Sequence, residues 1–86
     1  MPGQTFEELK ARLAIGSEFR TEAGQFRVTD IGSRTIVAIR VDRVTLSDGK
    51  VLDRAAAERE GWFNGPSFAV AEIVFDEDDY EAIEVA

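Results

Sequence analysis

The sequence predicts one small α+β domain, in which an N-terminal helix precedes a strongly bent antiparallel meander of about five strands. Three observations predict this fold: apolar residues at helical spacing near the start, glycine-containing turns between short apolar runs, and a β-branched run over 35–41. The 86 residues suffice for one modest hydrophobic core, so we assign residues 1–86 to a single domain.

The first element is an amphipathic helix over about residues 5–15. Thr5 and Glu8 have the spacing of a capping box, in which each side chain accepts a hydrogen bond from a backbone N–H of the first turn. Gly16 is suited to end the helix because glycine adopts the left-handed conformation without steric cost. The apolar residues expected on the inner face are Phe6, Leu9, Leu13 and Ile15.

A hairpin follows, with Gly32 and Ser33 as a two-residue type II′ loop. This loop fixes a register that places Val28 opposite Val37. The face predicted to be buried carries Phe26, Val28, Val37, Ile39 and Val41. The opposite face carries Gln25, Arg27, Thr29, Arg34, Ile36, Ala38 and Arg40.

The second half continues the sheet, which we expect to span about residues 17–75. Asp48-Gly49 predicts a second hairpin, and Asp53 to Glu60 fits either two helical turns capped by Asp53 or an ordered loop. A last strand over 67–75 is apolar on both faces, which predicts that it is either central in the sheet or covered on both sides. Residues 76–86 form an acidic C-terminal segment, in which Asp76 is expected to cap a short helix. Together these elements favour a small, SH3-like, partly open barrel.

The composition argues against catalysis. The chain contains no cysteine and no histidine, which removes disulfides, thiolate ligands and the commonest general base. Serine hydroxyls are present, but no histidine can activate them. We therefore predict a protein that is not an enzyme and holds no metal or cofactor. No apolar run approaches a membrane span and no signal peptide is visible, so we expect a cytoplasmic protein.

The charge is unevenly distributed. Residues 1–43 hold seven basic and six acidic side chains, a net of +1, whereas residues 44–86 hold three and eleven, a net of −8. An acidic balance argues against nucleic-acid binding, which needs cations against phosphate. It suits binding to a basic protein partner, or it serves solubility alone.

Three segments resemble those of a group of small bacterial proteins of unknown function. They are Gly32-Ser33-Arg34-Thr35-Ile36-Val37-Ala38-Ile39, Trp62-Phe63-Asn64-Gly65-Pro66, and Ala69-Val70-Ala71-Glu72 through Val74-Phe75-Asp76-Glu77. The resemblance covers about residues 17–79 and leaves out the N-terminal helix. It implies a bacterial source but no activity, ligand or cofactor.

Two segments are candidate partner-binding sites. The first is the aromatic loop Trp62, Phe63 and Asn64, because exposed aromatic side chains often anchor a partner. The alternative is that both rings close the core. The second comprises Asp76, Asp78 and Asp79, which otherwise form a solvated acidic end. The spacing of this run does not match a calcium-binding EF-hand loop, so no metal site is predicted.

Arg27, Arg34 and Arg40 form a candidate anion-binding surface, which we call the arginine face. The alternative is that carboxylates of the same chain pair with them. Glu72 interrupts an apolar face, so we expect it either at a sheet edge or beside an arginine.

The function expected from these features is that of a non-catalytic acidic module that recognises a protein partner, such as an inhibitor or accessory protein of a phage or mobile element. Two alternatives stay open: a small anionic-ligand domain that uses the arginine face, and a structural or oligomerising domain. The sequence leaves the oligomeric state undetermined.

Overall fold

The computed structural model describes residues 5–85. Five strands form one antiparallel sheet in the order β6-β3-β2-β1-β7, and β4 and β5 form a separate hairpin. The elements are α1 (Phe6–Arg12), β1 (Glu18–Thr21), β2 (Gly24–Ile31), β3 (Thr35–Arg40), β4 (Arg43–Thr45), β5 (Val51–Asp53), α2 (Arg54–Arg59), β6 (Glu72–Asp76), a 3-10 helix (Tyr80–Ala82) and β7 (Glu84–Val85). The predicted combination of an N-terminal helix with an antiparallel sheet of several strands is confirmed.

The large sheet is open, because β6 and β7 lie at opposite edges and do not pair with each other. The predicted barrel is therefore not confirmed, and this topology gives no support to the SH3-like assignment. None of the helices within residues 5–85 combines the length and the apolar character needed to cross a membrane.

Helix α1 begins as predicted but ends early. The capping box is present, with the Glu8 amide donating to Thr5 Oγ1 over 3.1 Å. The predicted end at residue 15 is wrong, because Ser17 Oγ accepts a hydrogen bond from the Ala14 amide and turns the chain towards β2. Ile15, expected on the inner face, is consequently 68% exposed.

The β2–β3 hairpin differs from the predicted register. Val28 lies opposite Ala38, and the pairing shifts between Val28 and Asp30. The predicted two-residue loop is wrong: Gly32 lacks the positive φ that a type II′ turn requires, and its amide donates instead to the Thr35 carbonyl over 2.9 Å. The longer loop displaces the partners of Asp30 and Ile31 by two residues, and the irregularity reduces this displacement to one residue over 26–28.

Strand β3 is buried on both faces, because two apolar clusters lie on opposite sides of it. Ile36 and Ala38, predicted for the mixed face, are fully buried, whereas Val37, predicted for the core, is only half-buried. The first cluster contains Phe6, Leu9, Leu13, Phe19, Phe26, Val28, Ile36, Ala38 and Ile83. The second contains Ile39, Val41, Val44, Ala57 and Phe63.

Residues 54–59, for which the sequence allowed either a helix or an ordered loop, form helix α2. Asp53 caps α2 by accepting a hydrogen bond from the Ala56 amide over 2.8 Å, and Gly61 follows the helix with a φ of 79°. Ala57 of α2 is fully buried in the second cluster. The preceding β4–β5 hairpin forms around Gly49, as predicted.

The last predicted strand is shorter than expected and lies at an edge. Strand β6 begins at Glu72, and residues 67–70 form turns and bends, in which Phe68 and Val70 pack against the second cluster. The prediction of a strand over 67–75 that is central or covered on both sides is wrong, because its apolar first half packs against that cluster and β6 is an exposed edge strand. The final strand, β7, which pairs with β1, was not predicted.

Candidate functional site

Strand β6 exposes apolar side chains at the edge of the sheet. It pairs with β3 on one side, and no strand among residues 5–85 pairs with its other side. Val74 is 59% exposed and Ile73 is 40% exposed. An edge of this kind presents backbone N–H and C=O groups that a strand of another chain can bind.

Carboxylates flank the apolar centre of β6. Glu72 begins the strand, is exposed, and accepts a hydrogen bond from Thr29 Oγ1 over 3.1 Å. Of the two positions expected for Glu72, the structure shows the sheet edge. At the other end, the strand runs directly into the segment Asp76–Asp79, which we call the acidic turn.

The acidic turn is held together by its own carboxylates. Asp79 Oδ2 accepts a hydrogen bond from the Asp76 amide over 3.0 Å, and Asp76 Oδ1 accepts one from the Asp78 amide over 2.9 Å. Asp76 does not cap a helix, since Asp79 occupies the N-cap position of the 3-10 helix and makes no side-chain cap hydrogen bond. The structure thus brings Asp76, Asp78 and Asp79 together beside β6, all exposed.

The aromatic loop does not form one exposed surface. Phe63 is only 5% exposed and belongs to the second cluster, and Trp62 is half-buried against the same cluster. Asn64 is exposed. Both rings thus contribute to packing, which agrees with the alternative that they close the core.

The three arginines of the predicted arginine face each contact a carboxylate of the same chain. Arg34 lies in the β2–β3 loop and pairs with Glu77 of the acidic turn, with 2.9 Å between Nη2 and Oε1. Arg40 contacts Asp42 through two hydrogen bonds of 2.6 and 3.1 Å. In the observed register Arg40 lies opposite Phe26, so the side chains of Arg40 and Arg27 lie on opposite faces of the sheet. The three arginines therefore do not share one face.

Arg27 belongs to an ion-pair network that the sequence did not reveal. Glu18 accepts hydrogen bonds from Arg27 and, through both carboxylate oxygens, from Arg54 at 2.8 and 2.7 Å. Arg54 also contacts Glu58, four residues along α2. The hydrogen bond from Arg54 is the largest cause that lowers the pKa of Glu18, and Arg27 adds to it, while burial opposes both.

Two surface depressions adjoin β6. One, of about 550 Å³, lies between the sheet and the loop after α2, where Phe68, Pro66 and Ile15 meet Arg27 and Glu72. Arg27, the cation in this depression, already contacts Glu18 and Glu58. The other, of about 330 Å³, lies at the N-terminal end of β6 and contains an arginine that sequence reasoning did not single out, Arg43.

Within residues 5–85, no cluster of three or more acidic residues has the geometry to hold a metal ion. Comparisons with protein-family profiles, with curated proteins and with solved structures found no match to this chain. The assignment of a function therefore depends on the surfaces themselves.

Proposed function

We propose that the protein is a non-catalytic module that binds an extended segment of a protein partner by strand addition to β6. The observation that carries the proposal is the exposed edge of β6, where Val74 and Ile73 are 59% and 40% exposed. In strand addition, backbone hydrogen bonds supply affinity, and alternate side chains supply specificity.

The charge around β6 favours a basic partner. Glu72 and the acidic turn place negative charge at both ends of the strand, within a half of the chain that carries three basic and eleven acidic residues. Lysine or arginine side chains on an added strand would lie near these carboxylates, whereas acidic ones would be repelled.

The same charges disfavour pairing with a second copy of the chain. Antiparallel self-pairing centred on Val74 would place Glu72 of one copy opposite Asp76 of the other, twice. Like charges directly opposite each other destabilise a strand pair. The edge is thus protected against self-association while it remains available to a basic segment.

The wider role that we propose is that of an inhibitor or accessory protein, of the kind that phages and mobile elements encode. A module with a net charge of −7 would occupy a basic surface of its partner in the cytoplasm. Its small size and the lack of histidine and cysteine support this role over catalysis.

The test uses a fluorescein-labelled peptide of six alternating lysine and valine residues, acetylated and amidated at its ends. A peptide with glutamate in place of lysine is the charge control. We expect the fluorescence anisotropy of the lysine peptide to increase on binding, and we expect the glutamate peptide not to bind. The affinity for the lysine peptide should fall with added salt, because salt screens the charges.

The decisive variant is Val74→Lys, which adds a positive charge at the exposed edge. It should weaken binding of the lysine peptide at least tenfold without changing the fold. Val51→Lys is the matched control, because Val51 is also 59% exposed on a strand but lies in β5. Equal binding by the Val74→Lys variant and the unaltered protein would overturn the proposal.

A further inference from the structure

A groove of about 330 Å³ lies near the N-terminal end of β6, and Ile73 of this edge strand is part of its lining. Ile73 of β6 forms one side, Val70 and Trp62 form the apolar wall, and Arg43 at the start of β4 supplies a cation. Arg40 also lines the groove, but its guanidinium group is hydrogen-bonded to Asp42. Apolar walls around a few fixed charges are typical of sites that bind a small ligand.

Arg43 is available to bind such a group. Its side chain makes no hydrogen bond and no ion pair with any residue of the range 5–85, whereas its backbone belongs to the β4–β5 hairpin. Two neighbouring carboxylates are engaged elsewhere: Asp42, the preceding residue, binds Arg40, and Asp53, the cross-strand partner of Arg43, caps α2. The hydrogen bond from Arg40 is the largest cause that lowers the pKa of Asp42, and the charge of Arg43 is the smallest.

The charges along β6 therefore have a direction. Glu72 and Arg43 place one negative and one positive charge near the N-terminal end, whereas the acidic turn places four carboxylates at the C-terminal end. A peptide that pairs antiparallel with β6 would bring its own C-terminus to the Arg43 groove and its earlier residues to the acidic turn. Parallel pairing would instead place its terminal carboxylate beside the carboxylates of the turn.

We propose that the Arg43 groove binds the free α-carboxylate of a partner's C-terminal segment that pairs antiparallel with β6. This inference rests on the proposed strand addition and adds to it the end of the partner that is bound and the direction in which it runs. The guanidinium group of Arg43 suits the site, because its planar donors match both oxygens of a carboxylate.

The length of β6 determines which positions of the partner's segment would carry the basic residues. Its five residues span about 14 Å at roughly 3.4 Å per step. A peptide whose carboxylate reaches Arg43 would therefore place a lysine or arginine four or five positions earlier beside the acidic turn. Its last side chain would be apolar, since Ile73 and Trp62 adjoin the groove.

The test compares two peptides of the same alternating lysine and valine sequence that end in valine, one with a free carboxylate and one amidated. Trp62, the only tryptophan in the sequence, lines the groove, so its fluorescence reports directly on occupancy. We expect the free acid to bind about tenfold more tightly than the amide, as for a charge-assisted hydrogen-bonded pair, and to change the Trp62 emission.

Arg43→Gln should abolish the preference for the free acid and leave binding of the amide unchanged. Arg43→Lys should restore part of the preference. Arg59→Gln is the matched control, because Arg59 is an exposed arginine at the end of α2 that does not line the groove. It should leave the preference intact.

The outcomes separate this inference from the proposed function. If both peptides bind equally well, and Val74→Lys still abolishes binding, then strand addition stands and the carboxylate site is wrong. A preference for the free acid that survives in Arg43→Gln also overturns the inference. If neither peptide binds, the proposed strand addition fails and the inference fails with it.

Discussion

Glu18 connects two elements that are distant in the sequence. Its carboxylate, in β1, accepts hydrogen bonds from Arg54 of α2 and from Arg27 of β2. The side chains of Glu18 and Arg54 are 27% and 34% exposed, so solvent screens the pair only in part. Nothing in the spacing of residues 18, 27 and 54 could have indicated this contact.

The pKa of Glu18 predicts how stability depends on pH. Because the folded-state pKa lies below its ordinary value of 4.5, the contribution is complete above that value and is lost as the pH falls through the lower folded pKa. Glu18→Gln should therefore lower the free energy of unfolding by about 1 kcal/mol at pH 7. The difference should shrink as the pH falls below 4.5 in urea titrations.

Glu22→Gln serves as the control for Glu18→Gln. Glu22 is exposed in the β1–β2 turn and makes no ion pair with any residue in the described range 5–85. Its substitution should leave stability nearly unchanged at every pH. A Glu18→Gln effect that is constant between pH 7 and pH 3 would contradict the assigned hydrogen bonds.

Among the elements, α1 is held to the sheet by its buried leucine and phenylalanine side chains. Leu9 is fully buried in the first cluster, and Phe6 is 8% exposed. The helix is only seven residues long, which is too short to be stable without such packing. The capping box fixes where the helix begins, but the packing decides whether it forms.

Leu9→Ala should destabilise the protein by about 2–5 kcal/mol, because it removes a fully buried side chain and leaves a cavity. Ile15→Ala removes a similar volume from a side chain that is 68% exposed, so it should change stability by no more than about 0.5 kcal/mol. Urea unfolding measures both values. Comparable losses in the two variants would mean that the helix continues to residue 15.

At the scale of the whole molecule, the two apolar clusters lie on opposite faces of β3 and do not merge into one core. The molecule is accordingly elongated, with dimensions of 43 × 25 × 19 Å. This arrangement places β3 in the interior and leaves β6 as an exposed edge. The surface charge then determines what the edge can bind.

Glu72→Lys should convert the edge into a self-association site. In the antiparallel self-pairing centred on Val74, each new lysine would lie opposite Asp76 of the other copy, so two repulsive pairs become attractive. Sedimentation velocity should show a monomer for the unaltered protein and a concentration-dependent dimer for the variant. A dimer of the unaltered protein that Val74→Lys dissociates would show that charge does not protect this edge.

The sequence by itself determined the features that depend on neighbouring residues. The start of α1, the β4–β5 turn at Gly49 and the cap of α2 at Asp53 were predictable, because each is a local hydrogen bond or backbone conformation. The acidic turn was recognisable as a run of carboxylates. Its place beside an exposed strand was not.

Only the tertiary structure decided the features that depend on distant contacts. The register of β2 and β3 could not be predicted, because apolar residues on both faces of β3 fit either of two registers until a second cluster covers the other side. The same cluster recruits Phe68 and Val70, which shortens β6 and leaves it at the edge. The exposed edge of β6 therefore depends on the packing of Phe68 and Val70 against the second cluster. No local pattern of residues determines this packing.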